Sequence, residues 1–105
     1  MDELRVRRWP HSREPVEAEL VEIYVVEGMR PYRWSNGPRD RYAVHSHDYH
    51  KVIFVLSGSI TFGLPQRREF ILLKPGDRLD LPAGTEHEAV VGPDGVVCLE
   101  GHQGQ

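Results

Sequence analysis

Short apolar runs, most of them followed within two residues by glycine, proline or asparagine, recur along most of this chain. They contain three to seven residues and are rich in valine, isoleucine, leucine, tyrosine and phenylalanine. Runs of this composition at near-regular spacing are typical of the strands of an all-β sandwich or barrel. The runs are Leu20–Val26, Pro31–Trp34, Arg41–His47, Lys51–Leu56, Ile60–Phe62, Glu69–Leu73, Leu79–Leu81, Glu86–Val91 and Val96–Glu100. The pattern therefore predicts an all-β fold.

A sustained helical repeat of apolar residues is missing from this pattern. Residues 15–22, with glutamates near their start, can form a single helical turn. Pro10 and Pro15 interrupt the first part of the chain, so we expect residues 1–17 to form an N-terminal arm or an edge strand. A chain of 105 residues has room for one hydrophobic core. We therefore expect a single barrel domain over residues 18–102.

Composition and charge exclude several classes of protein. An apolar fraction of 39% with 28% charged residues argues against disorder. The net charge of −3 gives no basic field for nucleic acid, and acidic neighbours dilute the small cluster at Arg5, Arg7 and Arg8. The longest apolar stretch, Val52–Leu56, is far too short to span a bilayer. Because the chain opens on charged residues rather than a signal peptide, we expect a cytoplasmic protein that binds neither membrane nor nucleic acid directly.

Three histidines are spaced as metal ligands. His45 and His47 lie two positions apart in a predicted strand, so their side chains point to the same face, about 7 Å apart along the chain. His87 follows the turn at residues 82–84, where a proline and a glycine favour a sharp re-entry that aims the histidine inward. Imidazole is the commonest protein ligand for transition metals, so the spacing predicts a divalent metal site with an open position. The alternative is three polar groups lining a barrel without metal.

The same histidines stand in two motifs that resemble those of the cupin family. The first spans residues 45–58, from His45-Ser-His47 to Gly58, and the second spans 76–87 and ends in Pro-Ala-Gly, two residues and His87. The stretch 47–62 also resembles the N-terminal sensor domains of AraC-type regulators. The resemblance implies an RmlC-like jelly roll, a double-stranded β-helix of about six to eight strands with a metal or ligand inside the barrel.

Lys51 departs from the cupin pattern, because the first motif has a glutamate ligand at this position. Two charges on a metal and one on the lysine, at about 5 Å and an effective dielectric near 20, would repel by roughly 6–7 kcal/mol. The lysine must therefore point away, be neutral, face a site without metal, or pair with an anionic substrate or a metal-bound hydroxide. The last alternative makes Lys51 a candidate for orienting a substrate. A second departure, Val91 in place of asparagine, matters less because that asparagine is often not a ligand.

The other histidines and the nearby glutamates have ordinary structural interpretations. By alternation His50 points to the face opposite Lys51, so we expect it to be exposed rather than a fourth ligand. His11 and His102 lie near the ends of the chain and are expected on the surface. Glu86 and Glu88 flank His87 and should face outward if His87 faces inward.

Aromatic side chains and the single cysteine complete the set of candidates. Trp34, Tyr42 and Tyr49 can line the mouth of a pocket, although packing in the core or at an edge is an equal alternative. Cys98 cannot form an internal disulfide and lies in a valine-rich run, so we expect a small buried side chain.

The resemblance leaves two main functions open. The first is a small metal-dependent enzyme that holds Zn, Fe, Mn or Ni through His45, His47 and His87, with oxygenase chemistry for Fe(II) and isomerisation, decarboxylation or hydrolysis for Zn(II) or Mn(II). The second is a metal-free module that senses a small molecule and reports it to a partner, without a DNA-binding segment of its own. A cupin kept only as a scaffold is a third alternative. We also expect a homodimer, formed through the arm or the exposed apolar run Leu20–Val26.

Overall fold

A computed structural model describes residues 3–104, so the first two residues of the predicted arm lie outside the described residues. Residues 3–104 form seven strands, one α-helix and one 3-10 helix. The elements are β1 (Arg5–Arg7), α1 (Glu17–Val26), β2 (Tyr32–Asn36), β3 (Arg41–His45), β4 (His50–Leu64), the 3-10 helix Pro65–Arg67, β5 (Glu69–Leu73), β6 (Arg78–Leu81) and β7 (His87–Gln103). The predicted all-β fold is confirmed.

Two long antiparallel strands, β4 and β7, form the centre of the barrel and pair with each other along most of their length. Strand β6 pairs with the first part of β4, and β5 pairs with the last part of β4. Strand β3 pairs with the first part of β7, and β2 pairs with the last part of β7. Strand β1 pairs with β6 at an edge of the sheet. Because each long strand changes partners along its length, the sheet curls around a common interior.

Glycines mark bulges rather than strand ends in β4 and β7. The register between these strands shifts between Gly58 and Ile60, where four β7 residues, 92–95, stand opposite the single residue 59. Gly58 has φ +75°, and a Cβ placed there would lie 2.0 Å from the carbonyl oxygen of Gly95. The prediction of separate strands on either side of these glycines is therefore wrong, because the long strands bend through them without ending.

Leu20–Val26 was expected to be a strand, and this is also wrong, because the run belongs to helix α1. Two fully buried side chains four positions apart, Leu20 and Tyr24, anchor the helix to the barrel. The Tyr24 hydroxyl donates to the carbonyl oxygens of Val52 and Leu99 at 2.9 and 3.0 Å. At the start of the helix the carboxylate of Glu19 accepts the backbone N–H of residue 16 at 2.7 Å. The run is thus not an edge strand available to a second copy, and the homodimer stays a prediction.

The core has two parts on opposite faces of the sheet. An outer cluster packs helix α1 on β4 and β7, and an inner cluster fills the barrel. Cys98 is fully buried in the inner cluster, as predicted, and burial raises the pKa of its thiol to about 12. The described part of the chain has no helix of the length and hydropathy needed to cross a membrane.

Candidate metal centre and ligand cavity

The three predicted histidines meet at one end of the barrel. His45 ends β3 and lies directly opposite His87, the first residue of β7, while His47 lies in the loop between β3 and β4. One ring nitrogen of each histidine lies within 4.8 Å of those of the other two. The ring centroids of His45 and His87 are 4.4 Å apart, and that of His47 lies 4.8 and 5.4 Å from them. The fold therefore brings together the predicted ligand set.

Backbone carbonyls orient two of these rings. The Nδ1 atom of His45 lies 2.6 Å from the carbonyl oxygen of Ala43, and that of His87 lies 2.9 Å from the carbonyl oxygen of Thr85. A carbonyl can only accept, so Nδ1 carries the proton in both rings and Nε2 keeps its lone pair. This arrangement is typical of histidines that bind metal through Nε2, because the hydrogen bond fixes both tautomer and ring orientation.

The buried histidine of the group has an unsatisfied acceptor. His87 is 2% exposed, and its Nε2 atom has no hydrogen-bond partner within residues 3–104. Burial lowers the pKa of His87 to about 4, and the positive charge of Lys51 acts in the same direction. Burial and Lys51 also lower the pKa of His47. Metal ligation requires a neutral imidazole with a free lone pair, and a buried acceptor without a partner is costly, so these residues fit a divalent cation.

Two hydrogen bonds fasten the loop that carries His47 to the turn that precedes His87. The backbone N–H of Gly84 donates to the carbonyl oxygen of His47 at 2.7 Å, and that of Ala83 donates to Nδ1 of His50 at 2.9 Å. His50 is half-buried rather than exposed, so the prediction of a surface position is wrong. It lies outside the histidine group and holds the loop in place.

The histidines open into a cavity of about 300 Å³. Aromatic and aliphatic side chains form much of its wall, and for Trp34, Tyr42 and Tyr49 this is one of the two alternatives that the sequence left open. The lining residues are Tyr32, Trp34, Tyr42, His45, His47, Tyr49, Lys51, Ile60, Phe62, His87, Ala89 and Glu100. Glu86 is exposed and Glu88 lies opposite Gly63 on the outside of the barrel, and His11 is exposed, as expected.

Lys51 lines this cavity and does not point away. It is 8% exposed, and its Nζ atom lies 3.7 Å from Oε1 of Glu100. Lys51 stands opposite His102 and Ile53 stands opposite Glu100 in the β4–β7 ladder, so the lysine and the glutamate are diagonal neighbours on the inner face. Burial lowers the pKa of Lys51, and the negative charge of Glu100 opposes that shift.

Glu100 is a site residue that the sequence reasoning missed. Its carboxylate accepts hydrogen bonds from the hydroxyl of Tyr32 at 2.5 Å and from the indole N–H of Trp34 at 3.2 Å, and it lies 2.8 Å from Nε2 of His102. Burial acts to raise the pKa of Glu100, but the charge of Lys51 and the bonds from Tyr32 and His102 lower it below the ordinary value. The signal was the alternation of Val96, Cys98 and Glu100, which puts a carboxylate on an inward face.

His102 was expected on the surface, and this prediction is wrong. Its ring packs against that of Tyr49 with centroids 4.1 Å apart, and its side chain is 24% exposed. Tyr49 in turn stacks on His47 at 4.8 Å. Packed rings therefore connect the histidine group with the Glu100 cluster along one side of the cavity.

The curled antiparallel sheet and the open cavity inside it define a cupin. An RmlC-like cupin from Shewanella frigidimarina is similar, with a TM-score of 0.61 and 20% identity over 72% of this chain and 66% of that chain. The polyketide cyclase RemF from Streptomyces resistomycificus has a TM-score of 0.63 and 25% identity over 70% and 54%. The DMSP lyase DddQ from Ruegeria pomeroyi has a TM-score of 0.66 and 22% identity over 75% and 40%.

The sequence model of the AraC-like ligand-binding domain matches residues 29–100, and the chain belongs to that family. The resemblance to cupins and to AraC-type sensor domains is thereby confirmed. The match to the three solved structures spans between 40% and 66% of their own lengths. A comparison with curated proteins gave no match. The family and the fold together establish a cupin ligand-binding domain.

Proposed function

We propose that this cupin binds a small organic molecule next to one divalent transition metal held by His45, His47 and His87. The observation that carries the proposal is the group of three ring nitrogens within 4.8 Å of one another at the wall of the cavity. The Nδ1 hydrogen bonds of His45 and His87 support it, since they leave Nε2 free in both rings. The donor set suits Zn, Fe, Mn or Ni.

The residues around the metal position have separate roles in this proposal. A bound divalent ion would supply a Lewis acid for an oxygen atom of the ligand. Lys51 orients the ligand through its ammonium group, and the aromatic side chains of the wall surround the remainder. A role as an enzyme predicts that the metal-loaded protein consumes its ligand, whereas a binding module returns the ligand unchanged.

A metal-free ligand-binding module is the second candidate. Lys51 favours it, because a lysine on the cavity wall replaces the glutamate that would offset the charge of a metal. Glu100 weakens this argument, since it places a carboxylate 3.7 Å from the ammonium and compensates its charge. Membership of the AraC-like family is compatible with both candidates.

Metal content separates the two candidates. Protein purified without chelators and without a histidine tag should contain about one transition metal ion per chain, measured by inductively coupled plasma mass spectrometry. His45→Ala and His87→Ala should lose it, while His11→Ala, an exposed histidine outside the cavity, should retain it. Circular dichroism checks that each variant is folded. Absence of metal after purification, together with no binding of added Zn, Mn, Fe or Ni, would contradict the metal proposal.

The division into an arm over residues 1–17 and a barrel over 18–102, and the homodimer, are kept as predictions alongside this function. Light scattering after size-exclusion chromatography tests the dimer. A mass of one chain at micromolar concentration would contradict it.

A further inference from the structure

The ammonium of Lys51 has donor capacity that the fold does not use. The distance of 3.7 Å from Nζ to Oε1 of Glu100 is longer than a hydrogen bond. A lysine ammonium has three N–H groups, and a buried ammonium is costly unless they are satisfied. The side chain is 8% exposed and lines the cavity. Its N–H groups are therefore available to an acceptor inside the cavity.

Glu100, by contrast, is already held by nearer donors. Tyr32 and His102 engage Oε2 at 2.5 and 2.8 Å, and Trp34 donates to Oε1 at 3.2 Å. All three are closer to the carboxylate than Lys51 is. Glu100 thus serves as a fixed counter-charge that keeps the ammonium buried, rather than as its hydrogen-bond partner.

The balance of charges on the cavity wall favours a negatively charged ligand. Lys51 and Glu100 are the charged side chains among the lining residues apart from the histidines, and their charges cancel. Three neutral imidazoles do not offset the positive charge of a divalent ion. The cupin motif would supply a glutamate for this at the position of Lys51. A ligand that brings a negative charge would offset this excess and satisfy Lys51 at the same time.

We infer that the ligand is a small organic acid whose carboxylate accepts hydrogen bonds from Lys51, with a planar or apolar body packed on the aromatic wall. The inference rests on the proposed function of this cavity and names its ligand class. Trp34, Tyr49 and Phe62 offer the aromatic surface, and a volume of about 300 Å³ lies at the small end of the range for ligand sites. A neutral polyol would leave the N–H groups of the ammonium without a charged acceptor at hydrogen-bond distance, because Glu100 lies 3.7 Å away.

The test compares acids with their neutral amides on zinc-loaded protein. Isothermal titration calorimetry is run with benzoate against benzamide, salicylate against salicylamide, and glucose as a neutral polyol. Since hydrogen bonds to charged groups contribute roughly 1.5–3 kcal/mol, at least one acid should bind about tenfold or more tightly than its amide. Equal binding of acid and amide in both pairs, failure of both acids to bind, or preferential binding of glucose would overturn the inference.

Two variants assign the preference to Lys51. On zinc-free protein, Lys51→Met should remove the difference between acid and amide, whereas Lys74→Met, the other lysine of the chain and exposed, should keep it. The double variant Lys51→Met with Glu100→Gln removes both charges together, so it leaves the net charge of these two positions unchanged and serves if the single variant does not fold. On zinc-free protein, where no metal charge favours the acid, a preference that persists in either Lys51 variant would contradict the inference.

The failure of the metal proposal and the failure of this inference give different results. Zinc content is measured on every sample, and the acid and amide pairs are titrated on zinc-free protein as well. Loss of zinc binding with a Lys51-dependent preference for acids would reject the metal and keep the ligand class. Normal zinc binding without such a preference would reject the ligand class alone.

Discussion

Two buried cations on neighbouring strands are paired very differently. Arg78 on β6, 4% exposed, donates to both carboxylate oxygens of Glu27 at 2.5 and 2.8 Å and to Asp80 at 2.6 Å. Lys51 on β4, 8% exposed, has Glu100 at 3.7 Å. Arg78 faces the helix side of the sheet and Lys51 faces the cavity. A cation held by three short hydrogen bonds connects structural elements, whereas one next to a cavity, with no hydrogen-bond partner at such a distance from residues 3–104, is available to a ligand.

The same contrast holds for the neutral polar groups on the two faces. The buried Tyr24 hydroxyl, beneath the helix, donates to two carbonyl oxygens. The buried Nε2 atom of His87, in the cavity, has no partner within the described residues. The helix side is therefore built for stability, and the cavity side keeps binding capacity.

Loss of Arg78 should have the largest effect on stability. Arg78→Met leaves the carboxylate of Glu27 without its bidentate partner and Asp80 with Arg7 at 3.9 Å, so the free energy of unfolding should fall by about 3–4 kcal/mol. Urea denaturation measures this change, with Arg33→Met, whose ion pair with Glu17 is exposed, as the matched control. A fall in the free energy of unfolding of less than about 1 kcal/mol would contradict the structural role of Arg78.

Acid should weaken the metal-free protein through His87. The pKa of a histidine in the unfolded chain is about 6.5, and burial lowers that of His87 to about 4. Between these values the unfolded chain binds the proton and the folded chain does not. The contribution of His87 to the free energy of unfolding therefore has its full value above pH 6.5. It falls by about 2–3 kcal/mol as the pH drops towards 4.

Urea denaturation of chelator-treated protein at several pH values checks this slope. His87→Gln should lose that part of the pH dependence, and His11→Gln should keep it. Parallel losses of stability in the wild-type protein and His87→Gln would show that another group is responsible.

Removal of the Tyr24 hydroxyl should have an intermediate effect. Tyr24→Phe keeps the packing of the ring but deletes its hydrogen bonds to Val52 and Leu99, so we expect a loss of about 1–2 kcal/mol. Tyr42→Phe, at a residue that is 37% exposed, should change the free energy of unfolding by less than about 0.5 kcal/mol. Thermal melts of both variants measure the difference, and equal losses would contradict the structural role of the Tyr24 hydroxyl.

Lys51→Met should have the smallest effect of the four. Glu100 keeps its bonds to Tyr32, Trp34 and His102 in this variant, so the free energy of unfolding should fall by about 1 kcal/mol or less. Comparison of its urea denaturation with that of Arg78→Met tests the contrast directly. A loss as large as that of Arg78→Met would show that Lys51 is a structural cation like Arg78.

The histidine group could be predicted because its geometry is local. The spacing of two residues keeps His47 near His45 although β3 ends at His45, and the pairing of β3 with β7 places His87 opposite His45. The spacing of the two motifs, which resembles that of cupins, then predicted the fold. Lys51 was identified as unusual from its position in the first motif, but its direction depended on a partner elsewhere in the chain.

The rest of the site depends on contacts between distant segments. The carboxylate of Glu100 is surrounded by Tyr32 and Trp34 from β2 and by Lys51 from β4. The sequence of each strand alone does not predict that these side chains contact one another. Helix α1 was missed for a similar reason. Its valines, isoleucine and tyrosine favour a strand by local propensity, and the burial of Leu20 and Tyr24 against the barrel outweighs that preference.

The most direct test of the metal centre is anomalous diffraction from crystals of the zinc-loaded protein. We expect one strong zinc peak at about 2.0–2.1 Å from a ring nitrogen of each of His45, His47 and His87, and its loss in His87→Gln. A zinc peak at Glu100 and His102 instead, or no peak at the three histidines, would contradict it.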